Sequence, residues 1–135
     1  MDGVILTPLK QIHNPKGDIF HAMKKSDNGF DGFGEAYFST IYKDDIKGWK
    51  KHTKMTLNLV VPVGKIKFVV YNEKTKEFFT TTLSQGNYNR LTVKSGLWMA
   101  FQGFDENNML LNLASIEHDP SETINIELSE INYAW

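Results

Sequence analysis

Apolar and polar positions alternate with a period of two along much of this chain, the pattern of strands that bury one face. The runs are Val4–Leu6, Gly34–Tyr42, Met55–Val61, Lys65–Asn72, Glu77–Leu83, Arg90–Val93, Leu97–Gly103, Met109–Ile116 and Thr123–Leu128. Many are rich in Val, Ile, Phe, Tyr and Thr, which suit a pleated, half-buried surface. Turn residues separate them: Asp31-Gly32, Val63-Gly64, Asn72-Glu73-Lys74, Gln85-Gly86-Asn87, Ser95-Gly96 and Asp105-Glu106-Asn107-Asn108. Short strands at a spacing of about ten residues predict an all-β sandwich or barrel. Only Pro8–Lys25 and Asp44–Lys47 leave room for a short helix or a wandering loop. No repeat, linker or low-complexity run is seen, so one domain over residues 1–135 is expected, with residues 1–30 as an N-terminal strand and loop arm.

The segment from Lys47 to Ile66 reads as a strand that changes character along its length. One face carries Lys50, His52, Lys54, Thr56 and Asn58; the other carries Thr53, Met55, Leu57, Leu59 and Val61. Two lysines, a histidine, a threonine and an asparagine in a row suit an anionic, oxygen-rich ligand such as a phosphorylated sugar. A half-exposed strand with a solvated face gives the same pattern, and both readings stand at this point.

Composition narrows the classes. A chain of 135 residues can bury a core without staples, and 13% aromatic residues supply bulk for it. There is no cysteine, hence no disulfide framework, thiolate metal site or cysteine nucleophile, which fits a reducing compartment. The net charge of −1 argues against a general binder of nucleic acid or membrane surfaces. No apolar run approaches the roughly 20 residues needed to span a bilayer, and Met1–Leu6 lacks the basic start of a secretion signal. A soluble cytoplasmic protein is expected. Arg90 is the only arginine, so a bidentate fork on a phosphate is available at one position at most.

Several elements together resemble the cupin jelly rolls related to dTDP-4-dehydrorhamnose 3,5-epimerase, specifically their short epimerase-like branch. Lys16-Gly17-Asp18-Ile19-Phe20 sits where that family has Arg-Gly followed by aromatic residues. Gly34-Glu35-Ala36-Tyr37-Phe38-Ser39 matches the strand that reaches into the site, and Ile46-Lys47-Gly48-Trp49-Lys50 matches the Arg-Gly-Leu-His element. Pro62-Val63-Gly64-Lys65-Ile66 matches the turn after the central strand. Ser95-Gly96-Leu97-Trp98-Met99-Ala100-Phe101 resembles Pro-Gly-x-x-His-Gly-Phe, and Asn112 through His118-Asp119-Pro120 resembles the exit of the last barrel strand.

The resemblance implies a single cupin-type double-stranded β-helix. It also implies a homodimer, since family members pair by sheet extension and exchange N-terminal segments. The implied chemistry is metal-independent and needs no cofactor: proton abstraction beside the keto group of a dTDP-linked or similar nucleotide sugar, in surface polysaccharide synthesis. The family uses a histidine base, a lysine that stabilises the enolate and a tyrosine acid. Those positions fall on Lys50, Leu57 and Asn112 here, so the ligand class carries over better than the catalytic set. Lys16 and Lys47 replace the basic residues that grip the diphosphate. His52, two positions from Lys50, is the candidate base or acid, with Lys50 as its catalytic companion. Glu35, Tyr37, Ser39, Lys54, Asn58, Trp98 and Asn112 are candidates to contact the sugar or the nucleotide, and Glu35 is also a candidate to orient His52. A non-catalytic cupin that binds a sugar or sugar nucleotide, and an enzyme acting on another carbohydrate, are the alternatives.

Other sites find less support. A metal cupin needs two histidines spaced His-x-His, a carboxylate and a third histidine, whereas the corresponding positions hold Lys50, His52, Asn58 and Met99. Trp49 and Trp98 suit stacking on a base, or core and interface packing. Arg90 is expected in a surface ion pair. His13 and His118 read as surface or loop residues, and His118-Asp119-Pro120 as a turn closing the barrel. His21 suits either a plain loop or an approach to a partner's site. No nucleophile elbow surrounds Ser39, and no Gly-rich phosphate loop precedes a helix.

Overall fold

The computed structural model describes residues 1–135 and is built from strands and turns, with no α-helix. The strands are β1 (Val4–Pro8), β2 (Gln11–Ile12), β3 (Ile19–Phe20), β4 (Glu35–Tyr42), β5 (Ile46–His52), β6 (Leu57–Val63), β7 (Lys65–Asn72), β8 (Glu77–Ser84), β9 (Asn89–Val93), β10 (Trp98–Gly103), β11 (Asn107–Ala114) and β12 (Thr123–Asn125). They form two five-stranded antiparallel sheets, ordered β1-β9-β6-β11-β4 and β12-β5-β10-β7-β8. The chain crosses repeatedly between the two, which gives the single-domain jelly roll. The stretch Pro8–Lys25 holds a small ribbon, β2 paired with β3, rather than a helix.

The segment Lys47–Ile66 is not one strand. It supplies β5 to one sheet, crosses at Thr53–Thr56, supplies β6 to the opposite sheet and then enters β7. Because the two sheets face each other, the crossing resets which parity points inward. His52 on β5 and Leu57 and Leu59 on β6 therefore line the same interior. A tight turn follows β6 at Gly64, whose φ of +84° is open to glycine at little cost. A Cβ there would lie 2.3 Å from the Asn107 carbonyl oxygen.

Most of the space between the sheets is filled by a cluster that includes Ile66, Phe68, Val70, Leu83, Leu91 and Val93. Each such side chain contributes about 1.5–3 kcal/mol by leaving water. A second cluster, Trp49, Val69, Trp98, Ala100 and Ile131, lies on the outer face of β5, β10 and β7. The C-terminal tail covers it: Trp49 Nε1 donates to the Leu128 carbonyl at 3.1 Å, and the Trp49 and Trp135 rings lie 5.9 Å apart. No helix is long and apolar enough to cross a membrane.

Candidate active site

At one end the sheets leave a cavity of about 210 Å3 unfilled. Its floor is apolar, made by Leu57 and Leu59 on β6, Met99 and Phe101 on β10, and Leu110 on β11. Its polar groups come from three strands: Tyr37 and Ser39 on β4, Lys47, Lys50 and His52 on β5, and Asn112 on β11. An apolar hollow with a few convergent polar groups is the ordinary form of a small-ligand site.

Both lysines reach it because β5 is bulged. Lys47 and Lys50 are three residues apart and would point to opposite faces of a regular strand. Opposite them on β10, Phe101 pairs with Lys47 and Met99 with Lys50, so three steps on β5 match two on β10. The extra residue falls at Gly48-Trp49 and turns both ammonium groups inward. Lys47 Nζ donates to the Thr40 carbonyl at 2.7 Å and to Ser39 Oγ at 3.2 Å, and lies 5.7 Å from the centre of the Phe101 ring. The Lys50 backbone pairs with Met99 and Asn125, and its ammonium group makes no hydrogen bond to the protein.

His52 is 9% exposed, and its Nδ1 lies 2.7 Å from Glu122 Oε1. The Glu122 side chain is fully buried. Its second oxygen accepts from the Thr53 N–H at 3.1 Å, and its carbonyl accepts from Thr53 Oγ1 at 2.9 Å. An ionised carboxylate can only accept, so Nδ1–H donates in this bond and Nε2 is the ring nitrogen left free of it. Glu122 ends a one-turn 3-10 helix, Pro120–Glu122, capped by Asp119. The Ser121 hydroxyl and then the Ser121 backbone N–H donate to the Asp119 carboxylate and hold its pKa below the usual aspartate value. The next residue, Thr123, pairs directly with His52. His118-Asp119-Pro120 is thus the turn that delivers Glu122.

The structure gathers Tyr37, Ser39, Lys47, Lys50, His52 and Asn112 around one cavity. Five other expected residues lie elsewhere. Asn58 is on β6 with the parity opposite to Leu57 and Leu59, so its side chain leaves the cavity. Its Oδ1 accepts from Thr92 Oγ1 at 2.6 Å and Arg90 Nε at 3.2 Å, and its Nδ2 donates to the Gly29 carbonyl. Lys54 is exposed in the crossing loop, and Lys16 is exposed beyond the tip of the β2–β3 ribbon. Trp98 belongs to the outer cluster, with Lys51 Nζ 4.9 Å from its ring centre, because residues 99 and 101 take the inward parity of β10. Glu35 begins β4 outside the cavity lining, and the partner of His52 is Glu122.

Arg90 is not in a surface pair. It is completely buried and donates to the Ala22 carbonyl at 2.9 Å, to Asp27 Oδ2 at 3.1 Å and to the Asn28 carbonyl at 3.1 Å. It therefore straps the N-terminal segment across the outer face of β6 and β9. His13 is exposed and paired with Asp18, and His118 is exposed.

Glu122, the buried partner of His52, is the residue at this site that the sequence did not disclose. The available signal was an acidic residue directly before a short strand that closes the barrel, but nothing local says which strand it joins.

No curated protein matches the chain in sequence. Among solved structures it is similar to a dTDP sugar isomerase from Desulfovibrio desulfuricans, at 29% identity and TM-score 0.93, over 99% of this chain and 91% of that one. It shares its fold with a variant of the 3,4-ketoisomerase QdtA from Thermoanaerobacterium thermosaccharolyticum in complex with TDP-4-keto-6-deoxyglucose, at 24% identity and TM-score 0.81, over 97% and 95%. The fold is also that of the rmlC epimerase of Mycobacterium tuberculosis, at 15% identity and TM-score 0.81, over 93% and 69%. The model of the family described as WxcM-like, C-terminal (FdtA) matches residues 2–130, and the chain belongs to that family.

Proposed function

We propose that this protein is a nucleotide-sugar epimerase or isomerase that enolises a 4-keto sugar carried on thymidine diphosphate or a similar nucleotide. The His52–Glu122 pair at the cavity carries this reading: it holds an imidazole beside two lysines. His52 Nε2 takes the proton next to the keto group, and Glu122 holds the ring and offsets the imidazolium charge that forms. Lys50 stabilises negative charge growing on the substrate's oxygen. Lys47, at the cavity rim, takes the diphosphate, and Ser39 and Tyr37 contact the sugar. The 29% identical dTDP sugar isomerase supports the ligand class. We place the activity in the cytoplasm, in the synthesis of surface polysaccharide.

We also propose a homodimer. Phe38 and Tyr42 on the outer face of β4 are 64% and 77% exposed, an apolar strip suited to a second copy. Light scattering at micromolar concentration reads the mass directly.

A binder without catalysis is the second reading, favoured by Leu57, which puts an alkyl group where the resemblance places an enolate-stabilising lysine. Incubation with thymidine-diphosphate 4-keto-6-deoxyglucose, followed by NMR of the products, separates the two. A new keto-sugar isomer or epimer supports the enzyme. A rise in melting temperature with thymidine diphosphate and no product supports the binder.

A further inference from the structure

β5 carries every basic group of the cavity: Lys47, Lys50 and His52. Its bulge is where pairing with β10 lapses, so the shape of the strand there depends on contacts outside that ladder. Those contacts come from the tail that follows β12. The Ile126 N–H donates to the Trp49 carbonyl at 3.2 Å. Trp49 Nε1 donates to the Leu128 carbonyl at 3.1 Å, and the Trp49 ring centre lies 5.9 Å from that of Trp135. The tail also passes close over Gly48, where an added Cβ would lie 3.8 Å from the Leu128 nitrogen. Trp49 is 1% exposed and belongs to the outer cluster. Neither Trp49 nor any tail residue lines the cavity, so they reach a ligand there only through β5.

We propose that Trp49 is a positioning residue: clamped from outside by the tail, it fixes the bulge of β5 and with it the inward placement of Lys47. This rests on the reading above, in which Lys47 takes the diphosphate. His52 and Lys50 are two apart and share the inward parity of a regular strand, and Lys47 does not. If the clamp is released, the bulge relaxes towards regular pairing. His52 and Lys50 keep their face, Gly48 takes the inward place and Lys47 turns out. Its ammonium group then parts from the Thr40 carbonyl and Ser39 Oγ, which now hold it at 2.7 and 3.2 Å. The clamp thus holds a ready-placed charge for the anionic end of the ligand, and binding need not be spent on ordering it.

The test is Trp49→Leu, which removes both the N–H and the ring. It is expected to weaken binding of thymidine diphosphate by about tenfold, as far as Lys47→Met does. KM for a keto-sugar nucleotide rises with it, while kcat stays within about threefold of wild type. In the Lys47→Met background Trp49→Leu adds less than about twofold to Kd. Trp49→Phe, which keeps a ring against Trp135, recovers part of the loss. Val69→Ala removes bulk from the same cluster on β7 and is the control for lost stability: its melting temperature falls while Kd stays within about twofold. Losses that multiply in the double variant, or an equal loss of affinity in Val69→Ala, overturn the positioning role. Trp135→Ala covers the case in which Trp49→Leu does not fold. A loss of about threefold, the scale of one aromatic pair, that vanishes in the Lys47→Met background supports the clamp, and unchanged affinity overturns it. A wild type that binds thymidine diphosphate but turns over no keto-sugar nucleotide defeats the enzymatic reading alone, and the same affinity cycle still decides the clamp. If the wild type does not bind thymidine diphosphate, the crystal structure of Trp135→Ala decides it. Lys47 Nζ parted from the Thr40 carbonyl supports the proposal, and an intact bulge with that bond retained overturns it.

Discussion

Glu122 and His52 are 70 residues apart in the chain and 2.7 Å apart in space, joined Oε1 to Nδ1. The pairing follows from backbone register: β12 lies beside β5 with Thr123 opposite His52, and the capped turn before it drops Glu122 behind the ring. Replacing His52 by Ala is expected to lower kcat by about 100-fold to 10,000-fold, the usual worth of a general base, with the folded melting transition retained. Glu122→Gln keeps the shape but loses the anion, and is expected to lower kcat by about tenfold or more with little change in KM. Steady-state kinetics on a keto-sugar nucleotide check both. Wild-type turnover in His52→Ala would remove the assignment.

The bulge at Gly48-Trp49 brings both lysines to the cavity, and the proposed function assigns them separate tasks. Lys47→Met is expected to weaken binding of thymidine diphosphate by about tenfold, the scale of one charge-assisted hydrogen bond. It should also flatten the dependence of Kd on salt. Lys50→Met is expected to lower kcat more than it raises KM, because its charge matters most when the substrate oxygen becomes negative. Calorimetric titration at two salt concentrations checks the first, and steady-state kinetics the second. Equal effects of both variants on Kd would contradict the division.

Asp27 makes stability pH-dependent through the strap. The backbone N–H of Lys24 lowers its pKa most; burial opposes this, and the charge of Arg90 adds to the lowering. A carboxyl with a depressed folded pKa contributes stability in full above its unfolded value, about 3.9. That contribution fades as pH falls through the lower folded value. Asp27→Asn is therefore expected to be less stable than wild type at pH 7, with the two converging as pH drops below 4. Urea unfolding across that range checks it. A difference that grows on acidification would contradict the role.

Gly64→Ala tests the turn between β6 and β7. With φ at +84° and the Asn107 carbonyl 2.3 Å from the added Cβ, the variant is expected to lose about 1–3 kcal/mol. Chemical denaturation reads the loss, and a neutral effect would show that the turn relaxes freely.

What the sequence made legible was whatever short-range pattern determines. The runs Lys65–Asn72 and Glu77–Leu83 became β7 and β8 almost residue for residue, because alternation and turn chemistry are local. His52 and Lys50 were legible as a pair for the same reason. Asn58 was placed on their face by counting in twos through Thr53–Thr56, where the chain leaves one sheet for the other and the count restarts. Lys47 is the converse case, since only the bulge brings it round to the face of Lys50. Arg90 looked like a surface residue because its partners, Ala22, Asp27 and Asn28, are brought to it by tertiary packing alone. Glu122 was hidden for the same reason, since strand pairing across 70 residues leaves no local trace.

The most direct test of the central claim is solvent deuterium wash-in. Thymidine-diphosphate 4-keto-6-deoxyglucose is incubated in D2O with wild type and with His52→Ala, and the sugar is read by proton NMR and mass spectrometry. Wild type is expected to incorporate deuterium at carbon beside the keto group, and His52→Ala to incorporate none above background. Thymidine diphosphate binding without any wash-in by the wild type, or equal wash-in by both proteins, would contradict proton abstraction by His52.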